Sequence, residues 1–312
     1  MAAGQRANRL RQIARNTVVS ATYLGSRGRF LPVFVNRNIA PTQRFATLTV
    51  NGGEFSGTSF QVPVYTARLD SRFNAITEVR GAVDSAYHAL VLQANRRLTN
   101  GLQFQASYTL SRSRDNGQTS VTFTSTNTPA DPYNINLDRG PADFDIPHRF
   151  VASAVWSPSG FGLDESALGR AIFGGWTLAP IFVAQSGRPF NAFVNGRPTV
   201  TGGTALNNGI TGSGGESFFL PVGRNAFRQP RIVNLDMRLS RRFNFTESTN
   251  LEFLIEGFNV FNRTHVTGVN DLAFNINASN QLIPDANFGT DSATGNSIYT
   301  QRQVQWAVRF QF

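Results

Sequence analysis

Val304-Gln305-Trp306-Ala307-Val308-Arg309-Phe310-Gln311-Phe312 ends the chain, and its reading decides the fold. Val304, Trp306, Val308, Phe310 and Phe312 share one face of an extended strand, and Gln305, Ala307, Arg309 and Gln311 share the other, because successive strand side chains point to opposite sides. The alternation runs to the last residue. A soluble domain rarely finishes on an exposed aromatic, since chain ends fray into water. A strand with lipid on one side and a wet lumen on the other has this pattern. An edge strand of a soluble sandwich is the competing reading.

The same period recurs upstream. Leu102, Phe104, Ala106, Tyr108 and Leu110 alternate with Gln103, Gln105, Ser107, Thr109 and Ser111. A strand over 87–98 precedes it, with Leu90, Leu92 and Ala94 on one face. The two are joined at Thr99-Asn100-Gly101, where both Asn and Gly tolerate the positive φ of a tight hairpin. A second pair sets Val233, Leu235, Met237, Leu239, Phe243 and Phe245 against Asn234, Asp236, Arg238 and Ser240. After a polar turn at 246–250 it sets Leu251, Phe253 and Ile255 against Glu252 and Glu256. Alternation blurs over 258–262, which predicts a bulge or an interfacial aromatic girdle. Further strands are expected at 17–27, 148–156 and 172–186.

Connections fall into two classes. Short ones lie near 99–101, 159–170 and 246–250; long ones, rich in Gly, Asn, Ser and Thr, lie near 28–71, 115–146, 188–230 and 263–299. Long and short alternate strictly. In an up-and-down antiparallel sheet this puts every long loop at one end and every short turn at the other, the asymmetry of outer-membrane barrels. The expected fold is therefore all-β, one domain over 1–312: an antiparallel up-and-down transmembrane β-barrel segment of about eight strands. Its loops are long outside and its turns short on the periplasmic side.

Composition narrows the functions. The chain has 312 residues, is 40% hydrophobic with mean hydropathy −0.21, and contains no cysteine. No run reaches the ~18–20 apolar residues of a spanning helix, whereas a barrel strand shows lipid only every second residue. Absent cysteine excludes disulfides and thiolate metal sites. The net charge of +10 is carried by arginine alone. The arginines are scattered rather than set on one basic helix or nucleic-acid module, so no nucleic-acid partner is expected. Arginines lining a lumen or facing anionic headgroups account for the charge.

Candidate polar sites are few. Asp138, Arg139, Asp143, Asp145, His148 and Arg149 crowd a loop–strand junction. They could line a ligand-facing mouth, but Asp–Arg pairs holding the loop down, with Pro141 and Pro147 fixing φ, are the favoured reading. Asp236, Arg238, Glu252 and Glu256 are expected to face the lumen. Glu252 and Glu256 stand roughly 13 Å apart at strand rise, too far for a glycosidase pair at about 5–10 Å. His88, His148 and His265 lack metal-ligand spacing. No phosphate loop, nucleophile elbow or dinucleotide fingerprint is present. Neither an enzyme nor a cofactor is expected. Trp156, Trp176 and Trp306 suit either interfacial belts or a sandwich core.

Several segments together resemble the C-terminal barrel region of TonB-dependent outer-membrane receptors, in particular the Oar-like subclass. They are 23–28 (YLGSRG), 87–90 (YHAL), 100–111 (NGLQFQASYTLS), 137–150 (LDRGPADFDIPHRF), 174–176 (GGW), 186–190 (SGRPF) and 256–262 (EGFNVFN). The order and spacing of these pieces carry the likeness. It implies an outer-membrane location of Gram-negative type, contact with outer-membrane lipid, and a ligand taken at the outer loops. Val304, Trp306, Val308, Phe310 and Phe312 then look like the signal read by the barrel-assembly machinery. TonB would act only through a plug domain, which these residues do not supply. With no signal peptide and about eight of 22 strands, the expectation is a truncated piece unable to transport alone. A secreted or surface β-sandwich binding module, or a small stand-alone porin, is the alternative.

Overall fold

Nine strands pair antiparallel, each with its neighbour in sequence, in the computed structural model, which describes residues 2–14, 16–42, 44–117, 128–158, 166–296 and 298–312. They are β1 (Ala2–Ala14), β2 (Thr17–Asn36), β3 (Thr77–Thr99), β4 (Leu102–Asp115), β5 (His148–Trp156), β6 (Trp176–Gln185), β7 (Ile232–Asn244), β8 (Asn250–Phe258) and β9 (Gln303–Gln311). A short tenth strand, Gly140–Pro141, pairs beside β4. The order is a plain meander from β1 to β9. Among the described residues these two end strands pair on one side only.

Register turns the sequence alternation into two faces. Leu102, Trp156, Leu178, Leu239, Ile255 and Trp306 are successive Cα partners from β4 to β9. A second apolar row runs Val19, Ala94, Ala106, Ala152, Phe182, Leu235 from β2 to β7. On the other face, Gln105, Ser153, Ile181 and Asp236 form one row and Ala179, Arg238, Glu256 and Gln305 another. A one-residue slip in any pair would invert that strand, so the pattern fixes the register. The hairpin at Asn100–Gly101 helps, with φ of 50° and 73°. A Cβ on Gly101 would lie 2.0 Å from the Ser157 carbonyl oxygen.

The strands rise further than their alternation suggests. β2 continues to Asn36 and β3 begins at Thr77, past an irregularity between Gly28 and Leu31 where Phe30 takes φ 57°. There the pair buries Val33, Val35 and Val83 against Ile135. The basic segment before Thr17 is a full strand, β1. The strand expected over 172–186 starts only at Trp176, because Ala167–Phe173 is a short helix. At 258–262 there is no bulge in the pairing. β8 stops at Phe258, and Asn259 and Asn262 turn the chain with φ of 48° and 50°.

Most fully buried apolar side chains sit in the long connections, not on the sheet. Phe193–Asn195, Leu272–Ile276, Gln281–Pro284, Phe45–Val50 and Ser59–Pro63 form a five-stranded sheet drawn from three of the loops. Its core includes Leu48, Val62, Val194, Ile210, Phe219 and Leu282. Phe219 is the node: its ring lies 4.8 Å from Phe274, 5.2 Å from Phe55 and 5.7 Å from Phe60, centroid to centroid. One side chain thus ties three loops into a folded cap. Phe219→Ala is expected to cost the cap about 3–5 kcal/mol. Limited proteolysis should then cut at 50–60 or 200–215 while far-UV circular dichroism still reports the long sheet. Unchanged protection would remove Phe219 from this role.

Candidate functional site

The sheet curls around its polar face. A concavity of about 360 Å³ spans five strands, and Gln103, Gln105, Ser153, Asp236, Arg238 and Glu256 line it. Five of these, all but Gln103, belong to the polar rows set by register. Arg238 and Glu256 are cross-strand partners. The guanidinium meets Glu256 Oε1 at 2.5 Å through Nη2 and donates to it from Nε at 2.6 Å. Gln305 of β9 donates to the other carboxylate oxygen. Two levels nearer the short turns, Glu252 lies between Arg242 at 3.6 Å and Arg309 at 3.7 Å. Opposite charges facing each other across strands stabilise a pair by a few tenths to about 1 kcal/mol.

Asp236 behaves differently from its neighbours. It accepts the Asn259 backbone N–H at 2.8 Å and the Asn234 side-chain amide at 2.9 Å. Asn259, 2% exposed, donates in turn to the carbonyls of Arg263 and Thr300 at 2.8 and 3.0 Å. Asp236 therefore anchors the end of β8 to both ends of the loop beyond it.

The opposite face is apolar and open. Val304, Trp306, Val308, Phe310 and Phe312 are 64, 77, 49, 56 and 95% exposed, and Phe253 and Ile255 beside them 46 and 47%. Polar-tipped aromatics edge this face. Near the long loops, the Tyr23 hydroxyl lies 2.6 Å from His88 Nδ1 and the Tyr108 hydroxyl 2.8 Å from His148 Nδ1. Near the short turns, Arg241 sits over Trp176 at 5.0 Å and over Phe243 at 4.5 Å. From His148 to Trp156 along β5 is roughly 26 Å of strand. At a barrel tilt of about 40° that spans about 20 Å of depth, near the ~25 Å apolar band of outer-membrane barrels.

The crowded junction at 138–149 divides. Two arginines from the 186–231 connection hold Asp138, Asp143 and Asp145. Arg224, with a side chain 3% exposed, pairs with Asp115 and meets Asp143 at 3.3 Å. It also donates from Nε to the Asp138 carbonyl oxygen at 2.8 Å. Arg228 pairs with Asp145 and donates to the Asp145 carbonyl at 2.9 Å. Asn225 donates to Pro141 O at 2.9 Å and Asp143 Oδ1 at 2.7 Å. A Cβ on Gly140 would lie 2.5 Å from the Arg224 carbonyl oxygen, so glycine is what lets this loop approach. The other three residues lie elsewhere. Arg139 is exposed at a separate cleft, His148 belongs to the apolar face, and Arg149 is the β5 partner of Thr109 and Gln185. Arg224, Asn225 and Arg228 lie in what reads as a generic polar loop; only Gly223 and Asn225, both at positive φ, mark a turn there.

Burial at this clamp changes titration. Burial pushes the Asp138 carboxyl up to about 7, against the N–H of Ala130 and the charge of Arg224, which pull it down; Glu216 and Asp131 add to the rise. Glu216 is itself raised, first by burial and then by Asp143. An unfolded aspartate titrates near 3.9, so native Asp138 keeps its proton longer. Its stabilising contribution is complete below pH ~4 and is lost as pH rises through about 7. Asp138→Asn is expected to flatten the fall in cap stability between pH 5 and 8, by up to about 1.4 kcal/mol per pH unit, leaving the Glu216 share. Thermal melts at four pH values check this; parallel slopes for both proteins would refute it.

Among the described residues no group of His, Cys, Asp and Glu could hold a metal ion, and no helix is long and apolar enough to cross a membrane. No curated protein sequence matches the chain. Among solved structures, the outer membrane transporter YddB from Escherichia coli superposes over 100% of this chain and 32% of its own, at 11% identity and a TM-score of 0.51. The copper transporter OprC covers 100% and 31% at 11% identity, with a TM-score of 0.41. The chain thus spans about a third of the length of these transporters. The model of the outer membrane beta barrel domain matches residues 8–305. A lipid-depth apolar face, a polar concave face and this match agree: the chain belongs to the outer membrane β-barrel domain family and is a protein of the outer membrane.

Proposed function

We propose that the sheet is part of the wall of a TonB-dependent receptor-transporter, with its polar face toward the lumen and its long loops receiving the ligand. One observation carries this reading: an apolar face exposed from β2 to β9 backs a polar face braced by cross-strand ion pairs. Soluble monomers do not leave apolar patches of that extent open. A sandwich would cover one face with a second sheet, yet the loop-borne cap keeps its core to itself.

A nine-stranded wall leaves β1 and β9 with open edges. Unpaired backbone groups in hydrocarbon cost several kcal/mol each. Further strands running from β9 round to β1 remove both edges, and barrels of 22 strands enclose a plugged lumen. TonB engages such receptors through the plug, so the wall alone moves no ligand. The row Val304, Trp306, Val308, Phe310 and Phe312 serves as the recognition strand for the barrel-assembly machinery.

Cells exporting residues 1–312 alone are expected to show no energy-dependent uptake above background, and Phe312→Ala should lower the membrane-inserted amount several-fold. Energy-driven uptake by the chain alone would contradict the partial-wall reading. Undiminished insertion of the Phe312 variant would contradict the assembly role.

A further inference from the structure

Just beyond the Tyr23–His88 pair, the apolar face turns basic. Along β4 the residues of that face are Leu110, Arg112 and Arg114. Tyr23 and Leu90 are Cα partners level with Leu110; one step on, Gly25, His88 and Arg112 are level; one further, Arg27, Ala86 and Arg114. Each step advances roughly 7 Å along the strand. Arg27 and Arg114 flank a central alanine, about 10 Å apart at ordinary strand spacing. Ala86 fills little of that gap, so a cleft of about 180 Å³ remains, with Arg29 and Arg139 also on its lining.

The charge balance of the cleft is lopsided. Arg27, Arg29, Arg114 and Arg139 are exposed. Of the two carboxylates lining the cleft, Asp115 is buried and paired with Arg224, which leaves Asp84 against the guanidiniums of Arg27, Arg114 and Arg139. Among the described residues no carboxylate pairs with Arg27, Arg114 or Arg139. Three like charges around one small cleft repel each other unless an anion joins them, and guanidinium forks match phosphate oxygens. Directly below, the face is apolar and open: Tyr23, Leu90 and Leu110 are 41, 41 and 43% exposed. An anion held here therefore has hydrocarbon beneath it.

We propose that the Arg27–Ala86–Arg114 cleft binds a headgroup phosphate of a phosphorylated outer-leaflet glycolipid, whose acyl chains lie along Tyr23, Leu90 and Leu110. Three placements converge on that occupant. The cleft is on the lipid-facing side, at the long-loop end, and one to two steps above the Tyr–His level where hydrocarbon gives way to headgroups. A lumenal ligand would meet the opposite face. The inference needs only the outer-membrane fold and stands whether or not the chain takes part in transport.

The test is native mass spectrometry of the full chain in mixed micelles, titrated with a bis-phosphorylated lipid A-type glycolipid and, separately, its dephosphorylated counterpart. The phosphorylated lipid should be retained at one per chain and the dephosphorylated one at least tenfold more weakly. The double variant Arg27→Ala/Arg114→Ala should weaken retention by tenfold or more, at roughly 1 kcal/mol per arginine. The charge-matched pair Arg197→Ala/Arg302→Ala should leave it unchanged. Equal retention of both lipids, or equal loss in both double variants, would overturn the proposal. So would complete displacement by millimolar inorganic phosphate, which would make this a site for a small soluble anion. The two-lipid comparison uses the unaltered chain, so it decides even if the double variant fails to fold.

Discussion

Everything in this molecule depends on the antiparallel hydrogen-bond ladder that joins each strand to the next from β1 to β9. In hydrocarbon, no water satisfies a backbone N–H or C=O, so the ladder must do so along every strand at membrane depth. Once it does, side-chain direction follows by geometry: each residue is committed to lipid or to the inner side. The Leu102-to-Trp306 row and the Ala179-to-Gln305 row are the two outcomes of that one constraint. Within the sheet, polarity is sorted between two solvents instead of a core being buried.

Conventional packing is moved into the loops. The cap around Phe219 has the buried aromatics and the fully covered Leu48, Val62 and Leu282 that a small soluble domain would have. Arg224 and Arg228 then fasten one loop to its neighbours through the buried carboxylates of Asp115 and Asp145. Removing one partner of such a pair leaves a buried charge behind, which costs far more than a surface pair contributes. Loops held this firmly present a fixed outer surface. The barrel therefore has two separately stabilised parts, a lipid-solvated wall and a water-solvated cap.

What could be read from the chain follows the range of the interaction. Period-two alternation is local, so β4, β5 and β9 stand out, with β5 matching its 148–156 expectation at both ends. The Asn100–Gly101 hairpin is local as well. Loop parity needed only connection lengths. The upper halves of β2 and β3 did not stand out, because Gly28 to Leu31 breaks the pairing and Val33, Val35 and Val83 are buried against a distant loop. The clamp was half visible: its aspartates cluster in sequence, but Arg224 lies 109 residues from Asp115 and 81 from Asp143. Nothing within a loop of generic polar residues announces such a partner. The Arg27–Arg114 cleft was hidden for the same reason, since two strand crossings separate its walls.

The chain contains no cysteine, so single cysteines can be placed at Phe253, Leu254 and Ile255 on β8 and at Ala307 and Val308 on β9 of the membrane-inserted protein. The two-faced wall predicts a period of two. Positions 253, 255 and 308 should react only with a maleimide that partitions into the bilayer, and positions 254 and 307 only with a charged, water-borne one. Equal labelling of neighbouring positions by the charged reagent, or the reverse alternation, would contradict it.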